Sequence, residues 1–106
     1  RAIIEVKNCV KNFKKIEEDT RRICDSLNRK STNSTLRHGL IAFYIDNTYK
    51  NNAKEKLNKI INKIFEEAKD FVSSKNLKIE FYIHKNHPFC DENNNVYASV
   101  VFLIKR

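Results

Sequence analysis

The sequence predicts an α+β domain, a three-stranded and mainly antiparallel sheet with two long helices on one face. The expected order is helix-strand-helix-strand-strand. Three observations carry this. Ala2, Val6, Cys9, Phe13, Ile16, Thr20, Ile23 and Leu27 follow one another at alternating steps of four and three, which keeps them on one seam of a helix. Ala53, Leu57, Ile60, Ile61, Ile64, Phe65, Ala68, Phe71 and Val72 recur at helical spacing as well. The apolar stretches at 36–45, 77–84 and 96–104 have the length and patterning of strands.

The first helix is expected over 2–28. Val10 and Cys24 widen its seam into a stripe, and Lys7, Lys11, Lys15, Glu18, Arg22 and Asp25 fall opposite. Residues 2–6 (Ala-Ile-Ile-Glu-Val) also fit a short strand, which would make the order β-α-β-α-β-β. That order is similar to the one used by small nucleic-acid-binding domains of the Alba and bacterial initiation-factor kinds. The similarity is one of element order alone, which does not carry function. A polar connector at 28–35 leads into strand 36–45. There Leu40, Ala42 and Tyr44 face one way and Ile41, Phe43 and Ile45 the other, as in a central strand.

Asn52 and Glu55 stand where an N-cap and its third-residue partner belong, opening a helix over 52–74. In strand 77–84, Leu77, Ile79, Phe81 and Ile83 alternate with Lys78, Glu80, Tyr82 and His84. A loop at 85–95 then joins it in a hairpin to the last strand, 96–104.

The chain reads as a single domain, 1–106, and its lack of any Met suggests that it is excised from a longer protein. No apolar run approaches the length of a membrane span. Three cysteines are an odd number, and Cys9 and Cys24 fall on the apolar side of the expected first helix. Free thiols in a reducing, intracellular compartment account for this better than a disulfide framework. The single glycine excludes the glycine-rich loops that cradle phosphates. A net charge of +8 attracts phosphate polymers and acidic surfaces.

There is no nucleophile elbow, no carboxylate pair in an apolar surround and no helical metal motif, and nothing orients Cys90 with His84 or His87 as a nucleophile and base, so the chain is not expected to be an enzyme or to carry a cofactor. His84, His87, Cys90 and Asp91 form one cluster of metal-ligand types, but they lack the second short spacing of a zinc site, and no metal is expected. The leading expectation is a protein-interaction or assembly domain. It would use Val6, Phe13, Ile16, Ile23 and Leu27 on the first helix, together with an open sheet face, for a protein partner or for self-association. The alternative is nucleic-acid binding, with Tyr44, Lys78, Tyr82, His84 and Tyr97 on the sheet and Lys56, Lys59 and Lys63 on the second helix. There rings would stack on bases and cations would neutralise phosphates.

Overall fold

The chain opens with a strand. In the computed structural model, which describes residues 2–29, 36–83, 89–93 and 95–106, the order is β1 (Ala2–Lys7), α1 (Lys14–Asn28), β2 (His38–Thr48), α2 (Ala53–Ser74), β3 (Lys78–Ile83), β4 (Phe89–Cys90) and β5 (Asn95–Lys105). The helix expected over 2–28 is therefore confined to its second half. Ile3, Ile4 and Val6 are β-branched and favour extended backbone. A step of four is even, so Ala2 and Val6 share a face in a strand just as they do in a helix. The chain then turns at Cys9, which holds a left-handed φ of 54°.

The sheet has five strands and is mixed, which corrects the three-stranded antiparallel expectation within the same α+β class. Its order is β1-β2-β5-β3, with β4 paired to β5. β1 runs parallel to β2 through Ala2↔His38 to Lys7↔Phe43. β2 and β5 pair antiparallel along their whole length, from His38↔Lys105 to Thr48↔Asn95. β3 covers one end of β5 and β4 the other, and both are antiparallel to it. Residues 84–88 lie outside the described part.

Both helices pack on one face of this sheet. Alternation sends Ile41, Phe43 and Ile45 of β2, with Val96, Ala98, Val100, Phe102 and Ile104 of β5, into the helix layer, all at most 3% exposed. Ile16, Ile23 and Leu27 of α1 and Leu57, Ile61, Ile64, Ala68 and Val72 of α2 close over them. Phe102 sits among rings, with centroids 5.1 Å from Phe43, 5.7 Å from Phe65 and 6.4 Å from Phe81. Thr20 is tolerated in this core because its hydroxyl donates to the Ile16 carbonyl at 2.7 Å.

The inward charges of β1 are matched. Asp19, only 2% exposed, accepts Lys7 Nζ at 3.3 Å and also pairs with Arg22, whose guanidinium lies 4.0 Å from Glu5. A buried carboxylate needs such partners. The expected cap at Asn52 is not made by its side chain. Asn52 holds φ 51° and makes no side-chain cap bond, leaving its carbonyl to accept the Lys56 N–H.

The cysteines separate into distinct environments. Cys24 is buried, and burial, helped by Asp25, pushes its thiol up to about 11. Cys9, expected on the apolar side of a helix, is instead exposed beyond the end of β1. Native protein treated with a thiol reagent near neutral pH should therefore label Cys9 first and Cys24 only after unfolding. The Cys24 thiol stays protonated in the fold but ionises above its ordinary value of 9.0 in the unfolded chain. Its contribution to stability is thus complete below pH 9.0 and falls away as pH rises towards 11. Equal labelling rates for Cys9 and Cys24 would contradict this placement.

Candidate interaction surface

Alternation that buries one side chain exposes the next, and among the described residues no helix lies over the second face of the sheet. Its central row is Val6, Ala42, Val101 and Tyr82, aligned by the strand register. One row towards the start of β2 lie Ile4, Leu40, Leu103 and Glu80. One row the other way lie Tyr44 and Ser99. Beyond these, the outer rows carry His38, Lys105 and Lys78 at one end and Asp46, Tyr97 and Phe89 at the other.

This face is apolar and accessible. Ile4 is 63% exposed, Val6 70%, Tyr82 54% and Phe89 51%. Leu40, Ala42, Val101 and Leu103 are half-buried by their neighbours alone. Small side chains at Ala42 and Ser99, flanked by Val6, Tyr44 and Val101, leave a shallow depression of about 200 Å³. Aromatic rings line one end. Tyr44 and Tyr97 stack at 6.1 Å, and Phe89 lies 6.3 Å from Tyr97.

Three polar groups on the face, Glu80, Lys105 and Tyr82, are matched to one another. Lys105 Nζ meets Glu80 at 2.8 Å, and the Tyr82 hydroxyl donates to the same carboxylate at 2.6 Å. Those two partners hold the Glu80 carboxyl below its ordinary value, while Glu80 holds Lys105 and Tyr82 above theirs. Tyr44 is raised by desolvation and by Asp46. At the neighbouring turn, Asp91 accepts the Asn93 and Asn95 backbone N–H groups at 2.9 Å each, which fixes the approach of β4 to β5. Bonds from Asn95 are the main cause that lowers its carboxyl.

The residues expected to form a contact on the first helix do not stay free. Phe13 is 7% exposed and Ile16, Ile23 and Leu27 are fully buried, because the chain's own core, the sheet together with α2, covers that seam. Only Val6 remains exposed, and it stands on β1. Of the nucleic-acid set, Tyr44, Lys78, Tyr82 and Tyr97 share the open face, but Lys56, Lys59 and Lys63 are exposed on α2, in the layer on the other side of the sheet. His84 lies outside the described residues. Sequence reasoning missed Ile4 and Phe89. The signal for Ile4 was the alternation of Ile4 and Val6 with Glu5 and Lys7, masked by the helical fit.

Both helices begin at the end where β1 and β2 finish, as parallel strands on a common face require. Neither has a side-chain cap, and Lys14, Lys15, Lys54 and Lys56 occupy their first turns. Lys11 lies beside Asp46 and Tyr97 at the edge of the open face, and also beside Lys63 and Phe13 on the helix side. Among the described residues, no cluster of three metal-ligand side chains converges and no helix is long and apolar enough to cross a membrane. No protein-family model matches the chain, and a search of curated proteins finds no similar sequence.

Proposed function

We propose that the chain is a non-enzymatic protein-interaction or assembly domain whose contact surface is the open sheet face. The observation that carries this is the set of exposed apolar side chains on one face of the sheet, Ile4, Val6, Tyr82 and Phe89, continuous with Leu40, Ala42, Val101 and Leu103. The largest exposed apolar patch on a monomer is typically about 300–600 Å² and is often functional, above all where polar residues rim it. Two strands of eleven residues and two of six, at about 3.3 Å per residue and 4.8 Å between strands, span roughly 500 Å² with the polar end rows included, and the apolar side chains hold the middle rows. The non-enzymatic part is supported by the titrating groups. Among the described residues, each displaced one is accounted for by a local partner or by burial.

The test is a photo-crosslinking residue placed at Val101 and, separately, at Lys63 on the opposite layer, each in the whole chain. Val101 should give a discrete protein adduct that excess unlabelled chain competes away, and Lys63 should not. Adducts equal at the two positions, or none from Val101, would overturn the proposal.

A second reading is nucleic-acid binding, favoured by the gathering of lysines and uncapped helix N-termini at one end and by the Tyr44–Tyr97 stack. In this reading affinity falls steeply with salt as counterions are released. Tyr44→Ala and Tyr97→Ala should then each cost about 1–3 kcal/mol of binding to single strands. Absence of binding at low salt would remove the reading.

A further inference from the structure

We propose that the occupant of the open face is a second copy of this chain, stacked sheet to sheet about a two-fold axis lying across the strands. This rests on the interaction reading above and names its partner. The argument is self-complementarity. The central row of Val6, Ala42, Val101 and Tyr82 lies four residues along each strand from the row of His38, Lys105 and Lys78. On β2 and β5 it lies four residues in the other direction from Asp46 and Tyr97, whose row Phe89 joins through β4. A two-fold axis through the central row therefore brings each outer row over the other row of the second copy.

Asp46 then meets His38, an acceptor against a donor. Tyr97 and Phe89 meet Lys105 and Lys78, and cations over ring faces are favourable. Tyr44 covers Leu40. At the axis, apolar residues meet their own copies, and the small side chain of Ala42 lets the sheets approach the ~10 Å of a packed pair. Isologous contact of this kind is what a closed dimer requires.

Charge and size point the same way. Among the described residues, the face carries Lys78 and Lys105 against Glu80 and Asp46, a balanced set, while the chain as a whole is at +8. The described lysines and arginines of the helices lie outside this face, so two copies can meet without bringing those charges together. A projected surface of roughly 500 Å² is also of the order of the ~800 Å² of accessible area that each partner contributes to a standard interface.

The experiment is sedimentation equilibrium of the whole chain under reducing conditions, so that Cys9 cannot crosslink copies. From about 100 µM downward, the wild type should show twice the 12.6 kDa chain mass and dissociate reversibly on dilution. Val101→Lys and Val6→Lys place like charges at the axis and should each weaken the dimer by roughly a hundredfold. Lys63→Glu, on the opposite layer, should leave it unchanged. Circular dichroism and melting of each variant separate loss of contact from loss of fold, and Val6, at 70% exposure, is the safer of the two sites. A wild type that stays at 12.6 kDa throughout, or a dimer indifferent to both lysine variants, overturns the inference. If the wild type is monomeric while a crosslinker at Val101 still captures a different protein, the interaction reading stands and only the second copy fails.

Discussion

Phe102→Ala is expected to destabilise the protein by about 3–5 kcal/mol, the usual cost of emptying a buried phenylalanine site. Phe102 is fully buried at the middle of β5, and its ring meets Phe43, Phe65 and Phe81 within 6.4 Å, so one truncation loosens β2, β3 and α2 together. A domain of this size has only about 5–15 kcal/mol in hand, so the variant should melt far below the wild type and lose much of its cooperativity. Val101→Ala, one residue along on the open face, should change stability by less than about 1 kcal/mol. Urea unfolding of the two variants side by side checks the contrast. Similar losses would mean that the two faces of β5 do not differ as described.

Gly39→Ala is the second large effect, and its cause is steric. Gly39 is buried in β2 opposite Ile104, and an added Cβ would lie inside the contact distance of the Ile23 Cγ2 methyl on α1. Gly39 does not hold a positive φ, so the backbone itself would accept alanine. The cost is therefore overpacking, about 1–3 kcal/mol, with α1 pushed away from the sheet. Ile23→Ala removes the offending methyl, so the double variant should lose less than the sum of the two single ones. A double-mutant cycle measures that coupling, and strict additivity would show that α1 does not bear on Gly39.

Most of the fold is legible in the sequence because most of it repeats one signal. β2 alternates between two apolar faces, α2 holds a helical period across 53–74, and β3 alternates apolar with polar. The N-terminus misleads for a definite reason. Ala2, Val6 and Cys9 fall on the helical seam by spacing, yet the first two also fall on one side of a strand. What decides between them is pairing with β2, thirty-six residues along in the register Ala2↔His38, which no local window contains. The same error displaced the expected contact surface. A seam extended to Ala2 looks too wide for a small sheet, whereas the apolar seam of α1, Ile16, Ile23, Cys24 and Leu27, is fully buried. The apolar character of Leu40, Ala42, Val101 and Leu103 was readable. That β1 widens this face with Ile4 and Val6, and that β4 adds Phe89, depends on long-range pairing.

The claim at the centre of this account is that the open sheet face works covered. Hydroxyl-radical footprinting of the chain, alone at high dilution and again in native extract, tests that directly. Tyr82 and Phe89 report on the open face, and Phe71, part-buried on α2, reports on the other layer. The account predicts that Tyr82 and Phe89 oxidise readily in the dilute chain and are protected together in extract, with Phe71 unchanged. Tyr82 and Phe89 oxidising as fast in extract as in isolation would contradict it.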